Sequence, residues 1–387
     1  MDFELSEAQQ MMQSVAGEIT EDYGLEYWRE KDENEEFPHE IWNEFTEAGF
    51  MGVTVPEKYG GEGMGMIDVT AIGLEIARSG GGVSGANLLT LGPVFGGISL
   101  ADLGNEQQKE RWLPGIADGD IVSLGLTEPD AGLDTSGIKS TAKKDGDEYV
   151  LNGTKIWTTG AHVADYIVIL ARTSPYDEGK RHEGISLFYV PADSDGISTS
   201  KINKLSMRCL GSCEVVLDDV RVPEENLLGE EGKGFYHVLS TLNTERIVWS
   251  SIPLGAGELA LDLATDYANE REAFGRLIGK NQGIQFPLAE SKAELETAKL
   301  MIYKAASRYD QDKDCAMEAN AAKLMSAGAG YRACDRAVQT LGGMGFANEY
   351  HVERLFRDVR LARVAPVSDE LAKSYVGEHV LGLPRSY

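Results

Sequence analysis

The hydrophobic pattern of this 387-residue chain changes period twice, and that change restricts the fold more than any single motif does. Up to about residue 120, apolar residues recur at helical spacing between glycine-rich turns. Ser6 followed by Gln9 reads as a capping box, and FPHEIWNEFTEAGF reads as a short amphipathic helix closed by Gly49. From Ile121 to about Leu228 the texture becomes short β-like runs, EYVLNGTKIW, YIVILA and GISLFYV, separated by turn clusters such as DGD and PADSDG. From Gly234 helical spacing returns, most clearly at Ile284, Leu288, Ser291, Leu295, Ala298, Ile302, Ala305 and Tyr309. The expectation is a multidomain α+β protein: an N-terminal helical domain over 1–120, a central β-barrel or β-sandwich domain over 121–230, and a C-terminal four-helix bundle domain over 231–387.

One residue breaks the last pattern. In FYHVLSTLNTERIVWSSI the inward stripe runs Val238, Leu242, Glu245, Trp249, Ile252, in steps of four, three, four and three. A carboxylate held there loses water, which penalises its charged form and moves its pKa toward neutrality, where it can act as a general base. The ordinary alternative is a glutamate that bends back to solvent or pairs with Arg246.

A formal charge of −27, from 63 acidic and 36 basic residues, opposes binding to nucleic acid or to anionic lipid. It also suggests a halophilic source. Cys209, Cys213, Cys315 and Cys334 lack zinc-ligand spacing and read as reduced filler. The opening MDFELSEAQQMMQ is acidic and amphipathic, and no apolar run approaches membrane-spanning length, so a cytoplasmic protein is expected. Gly80, Gly82 and Gly85 meet the glycine spacing of dinucleotide-binding folds, but they follow a helical stretch and read as a turn between helices.

LTEPDAG (Leu126 to Gly132) and LNGTKIWTTGA some twenty residues later carry a resemblance to the acyl-CoA dehydrogenase flavoproteins. VPEKYGGEGM, REAFG (Arg271 to Gly275), Gln282, QTLGGMGF (Gln339 to Phe346) and FRDVR (Phe356 to Arg360) extend it in family order along nearly the whole chain. The resemblance implies noncovalent FAD, with Leu124, Leu126 and Thr127 bordering the isoalloxazine and Trp157, Thr158 and Thr159 covering it. It further implies that Arg271, Phe274, Gln282, Gln339, Gly342 and Gly343 hold the pyrophosphate and adenine, partly from a neighbouring subunit in a homotetramer built from dimers. Ser368, Asp369 and Glu370 stand where the family places residues near the FAD phosphates or capping the next helix.

The implied reaction is α,β-dehydrogenation of an acyl-CoA thioester to a trans-2-enoyl-CoA, with electrons passed to an electron-transfer flavoprotein. Most members carry the base on a YEGTSE-like loop, where this chain reads VAPVSDE with Pro366 at the glutamate's position. A smaller branch, which includes isovaleryl-CoA and long-chain dehydrogenases, carries glutamate on a helix in an LDLER-like context. This chain has LNTER there, and the glutamate is Glu245. Leu242, Asn243 and Arg246 match substrate-pocket positions, as do Ala365, Pro366 and Val367. Two departures stand out. Leu133 occupies a position commonly held by a CoA-contacting serine, with Ser136 out of register, and Pro366 has no N–H to give the thioester oxygen, a task that a one-residue shift would pass to Val367. The sequence therefore leaves open a catalytically weak or silent acyl-CoA-binding member, and an acyl-CoA oxidase or flavin monooxygenase on the same fold.

Overall fold

A computed structural model describes residues 4–385. The first long helix, α1 (Glu7–Asn34), starts at the expected capping box: the Ser6 hydroxyl accepts from Gln9 N–H at 3.3 Å while the Gln9 side chain accepts from Ser6 N–H at 3.0 Å. Next, α2 (His39–Glu47) buries Ile41, Trp42 and Phe45, and Gly49 stops it with φ 81°. Helices α3 (Met66–Ile76), α4 (Gly82–Ala86), α5 (Ser99–Leu103) and α6 (Glu106–Ala117) complete this part. The glycines at 80, 82 and 85 turn α3 into α4. Gly82 needs its φ of 58°, and a Cβ on Gly85 would lie 2.9 Å from the Trp28 ring, so they serve close packing.

Eight strands follow: β1 (Val122–Gly125), β2 (Thr141–Asp145), β3 (Glu148–Thr159), β4 (Tyr166–Arg172), β5 (Ile185–Pro191), β6 (Ile197–Lys201), β7 (Ser212–Pro223) and β8 (Leu227–Leu228). They form one mixed sheet in the order β6-β7-β3-β2-β4-β5-β8, with β1 parallel to β4. The run YIVILA is apolar at every position because β4 is covered on both sides. Ile167, Ile169 and Ala171 join a core internal to the sheet region with Tyr149, Phe188 and Val215. Val168 and Leu170 face the other way, into the core shared with the helices.

The C-terminal part is built from α7 (Gly234–Glu270), a small hairpin of β9 (Glu272–Ala273) and β10 (Arg276–Leu277), then α8 (Gln282–Asp310) and α9 (Ala316–Leu341). Short helices α10 (Val352–Val359) and α11 (Asp369–Tyr375) lie against α9. In α8 the expected stripe is buried from Ser291 through Ala305, while Ile284, Leu288 and Tyr309 at its ends are half-buried. Helix α7 is long and apolar enough by composition to cross a membrane, contrary to the expectation from sequence, yet most of that stretch is buried inside the protein. The reason is close packing on two sides. A Cβ on Gly255 would fall 2.4 Å from the Leu74 carbonyl of α3, and one on Gly330 of α9 would fall 2.1 Å from the Pro253 carbonyl.

A buried charge network joins the three parts. Asp32 of α1 accepts from the Arg208 guanidinium at 2.6 and 3.0 Å, from Arg208 N–H at 2.9 Å and from Arg357 of α10 at 3.3 Å. Asp358 of α10 accepts from Met207 N–H at 2.9 Å and from Ser84 of α4 at 3.4 Å, with Arg354 at 3.9 Å. Burial alone would raise the Asp32 carboxyl; the Arg208 hydrogen bond and the Arg357 charge outweigh it and hold the group below its ordinary value. Burial, then the nearby Asp32, raises Asp358 instead. Asp32→Ala leaves two arginines without their shared acceptor. Because both arginines keep some exposure, the expected loss is roughly 2–4 kcal/mol, read as a lower denaturant midpoint of the whole chain.

Candidate active site

Along the stripe of α7, Val238, Glu245, Trp249 and Ile252 are buried and Leu242 is half-buried. Glu245 is 6% exposed, and its Oε2 has no hydrogen-bond partner among the described residues. Arg246 does not neutralise it. Adjacent helix residues point to different faces, and the Arg246 guanidinium donates to Asn243 Oδ1 at 2.6 Å instead. Burial pushes the Glu245 carboxyl up to about 7, with Arg246 pulling weakly the other way. The Arg246 Nε is likewise buried without a partner. Two unsatisfied polar groups on one helical turn mark a place where a ligand is expected.

One turn further, Trp249 and Ser250 meet Ala365 and Pro366 across a shallow crevice that Lys323 and Ala362 also line. The fold thus brings the VAPVSDE loop against the Glu245 helix. Val367 is buried, and its N–H donates to no acceptor among the described residues. Ser368 caps α11 through a 3.2 Å bond from Leu371 N–H. Asp369 is bound by Lys323 at 2.7 Å and Arg363 at 2.9 Å; these bonds overcome burial and keep it below its usual range, so it is occupied as an anchor. Glu370 is exposed.

The second half of the site is where β3 departs from regularity. Its register against β7 shifts between Lys155 and Thr158, and Trp157 in that bulge has φ 61° with 52% of its surface exposed. A left-handed tryptophan at a bulge is costly, and such strain collects at functional positions. Thr158 turns inward and is fully buried, its carbonyl accepting from Ala161 N–H at 3.4 Å, and Thr159 is half-buried. Opposite them, Leu124 at the end of β1 and Leu126 and Thr127 beyond it are half-buried, and Ile156 N–H donates to the Thr127 carbonyl at 2.9 Å.

Sequence reasoning missed the pair that holds these two segments together. Lys155 and Glu128, 0% and 6% exposed at the side chain, are joined at 2.7 Å, and Glu128 also accepts Lys139 N–H at 2.6 Å and Ser140 N–H at 3.0 Å. Lys155 reaches the Leu126 carbonyl at 3.3 Å. Burial draws the Lys155 ammonium down to about 8 against the pull of Glu128. Both residues lie inside the recognised motifs, and only a charged residue at an inward strand position hints at the bond.

Arg271, Phe274, Gln282, Gln339, Gly342 and Gly343 are all on the outside, at the β9–β10 hairpin, the first turn of α8 and the turn after α9. No hydrogen bond among the described residues links them to the Trp157 segment. Phe274, with φ 55°, has its side chain entirely in solvent, and Leu133 is 65% exposed on the loop after LTEPDAG.

Comparison with known proteins follows this geometry along the whole chain. Residues 6–120, 123–220 and 232–381 match the N-terminal, middle and C-terminal domains of acyl-CoA dehydrogenase. The chain is 38% identical over 385 residues to acyl-CoA dehydrogenase FadE12 of Mycobacterium tuberculosis (strain ATCC 25618 / H37Rv), covering 99% of this chain and 98% of the relative. The structure of butyryl-CoA dehydrogenase from Megasphaera elsdenii superposes with TM-score 0.94 at 32% identity, covering 98% of this chain and all of the other. An FAD complex of PigA superposes with TM-score 0.93 at 26% identity over 99% of this chain and 100% of that one.

The buried acid has a measurable cost. A carboxyl whose folded pKa is raised from 4.5 to about 7 binds more protons folded than unfolded between those values, so its contribution makes the fold less stable as pH rises through them. The accumulated penalty above neutrality is about 3 kcal/mol. Glu245→Gln is therefore expected to be more stable than the parent chain at pH 8 and equal to it at pH 4, as read by denaturant titration at the two pH values.

Proposed function

We propose, from the premise that this chain belongs to the acyl-CoA dehydrogenase family, that Glu245 is the base of its reaction. The chain is an FAD-dependent oxidoreductase that dehydrogenates acyl-CoA thioesters. The residues fit that cofactor. An exposed indole held in a strained bulge offers a flat face for stacking, the open backbone at Gly342 and Gly343 admits close approach of a phosphate, and Arg271 is free of any described ion pair and suits diphosphate oxygens. When bound, FAD supplies the acceptor for the hydride that leaves the β-carbon of the substrate.

Everything else falls to side chains of this protein. Glu245, ionised and dry, takes the proton from the α-carbon; its half-neutralised state near neutral pH gives both a usable anion and a strong enough base. Val367 N–H gives the thioester oxygen the hydrogen bond that Pro366 lacks, which supports the carbonyl as charge builds on it. Arg246, braced by Asn243, orients the acyl-CoA from the same helical turn. The Lys155–Glu128 pair keeps the covering tryptophan in register with Leu126 and Thr127. The single observation that carries this reading is the buried Glu245 carboxyl, whose Oε2 has no described partner, on the helix against which the loop packs, while the loop's own acids are anchored (Asp369) or exposed (Glu370).

The same reading extends to partners. The exposed outer set, with Phe274 and Phe346 in solvent, is suited to a neighbouring copy, hence a homotetramer built as a dimer of dimers. An electron-transfer flavoprotein is the proposed electron acceptor, and the cytoplasm the proposed location.

Glu245→Gln is expected to keep FAD and bind acyl-CoA while turnover falls about 10²–10⁴-fold. In the parent chain kcat/KM should rise with pH through about 7 as the carboxyl ionises. An anaerobic acyl-CoA panel followed by loss of flavin absorbance checks both. Tight acyl-CoA binding by the parent chain with unchanged absorbance would mean a binding protein, and unchanged turnover in the variant would move the base elsewhere.

A further inference from the structure

Thr159, at the end of β3, is the inner end of a file of polar groups. Its Oγ1 lies 3.1 Å from Ser212 Oγ, and Ser212 Oγ accepts a 2.8 Å hydrogen bond from Lys204 Nζ. Ser212 is buried and Lys204 half-buried. Lys204 in turn lines a shallow surface crevice with Glu35, Lys201, Ile202, Arg208 and Gly211. Three side chains therefore connect a basic recess to the segment that covers the cofactor ring.

Donor and acceptor rules fix the direction of the file. An ammonium has three donors and no acceptor, so a charged Lys204 gives its proton to Ser212. The Ser212 proton then goes to Thr159 Oγ1, the acceptor that the described residues offer it, and the Thr159 proton is left to be donated on the far side. A neutral Lys204, which has a lone pair as well as N–H donors, admits the reversed order that the charged form forbids. Its lone pair accepts from Ser212, Ser212 accepts from Thr159, and Thr159 presents a lone pair to whatever it faces.

We propose that Lys204 is a positioning residue that acts through Ser212 to set whether Thr159 gives or accepts a hydrogen bond at the flavin ring. The proposal rests on the reading of Thr159 as a ring-side residue. A flavin in its oxidised state offers bare ring nitrogens, and after accepting hydride it offers an N–H, so the two orders of the file match the two states. Burial brings Lys204 down to about 8, opposed by Cys209, Asp358, Cys213 and Asp32, so both orders are accessible near neutral pH. The other charged groups around it are committed. Arg208 is tied to Asp32, Lys201 donates to the Glu35 carbonyl at 2.8 Å, and His162 is kept neutral at about 4 by burial, then by Lys201 and Lys204.

The test is the visible spectrum and midpoint reduction potential of the FAD-loaded protein across about pH 6 to 10. The parent chain should show an alkaline inflection in potential. Lys204→Met and Ser212→Ala should lose it and have a lower potential at neutral pH, because nothing then holds the Thr159 hydroxyl in its donating orientation. Lys204→Arg, whose guanidinium stays charged, should keep the neutral-pH potential but lose the inflection, and it carries the test with Ser212→Ala if Lys204→Met fails to fold. Lys201→Met, at the rim, should match the parent. If Thr159→Val alters the flavin spectrum while Lys204→Met and Ser212→Ala retain the parent profile, the polarity proposal is overturned and the ring placement stands. A Thr159→Val spectrum identical to the parent overturns both.

Discussion

The buried aspartate and arginine network is the constraint from which both halves of the site hang. Asp32 and Asp358 fix Arg208 and Met207, a few residues before Ser212 opens β7 and pairs with Thr159 at the end of β3. Helix α10, which supplies Arg354, Arg357 and Asp358, runs directly into the loop that carries Pro366 and Val367. One cluster of charges therefore sets the position of the strand that ends in Thr159 and of the loop that packs against the Glu245 helix. Buried ion pairs add little net stability relative to well-packed apolar groups, but removing one member is costly. Their contribution here is registration: a slip of any of the three parts strands a charge out of water.

Glu245 shows the opposite use of burial. The aspartates are dry and partnered; Glu245 is dry and alone. The helix that carries it is packed between α3 and α9, and the carboxyl is 6% exposed. The result is a group that destabilises the fold above neutrality and binds a proton near pH 7, as the proposed base would have to. Stability given up at one residue is offset by the extensive core around it, the usual relation between a strained functional position and its scaffold.

Much of this was legible in the sequence because it rests on local rules. The Ser6 capping box, the Gly49 stop and the α8 stripe depend on residues within a turn or two of one another, and each recurs in the structure. The placement of Glu245 on an inward face followed from helical spacing alone. What escaped were bonds between distant segments. Lys155 and Glu128 are both inside recognised strings, yet nothing local says that an inward lysine meets a glutamate 27 positions away. The left-handed backbone of Trp157 escaped as well, since tryptophan carries no preference for φ above zero. The membrane-like composition of α7 went unregistered for a related reason: a helix packed on two sides and one crossing a bilayer share a composition, and only the neighbours tell them apart.

Moving an acid from a loop to a helix changes what the loop is free to be. A base on the VAPVSDE segment would need a residue that is both mobile enough to reach substrate and buried enough to be basic, and the backbone there would serve the thioester as well. With the proposed base on α7, its position is set by a helix packed between α3 and α9. The loop then has only to present a backbone donor, and it can be pinned: Asp369 to Lys323 and Arg363, Ser368 to the first turn of α11. Proline at 366 is tolerable under that division because the lost N–H belongs to a position that no longer carries the acid, while Val367, buried and unbonded at its amide, stands next in line. Under the proposed assignment of Glu245 as base, the two departures from the common family pattern, a helical acid and a loop proline, are one change expressed at two places in the chain.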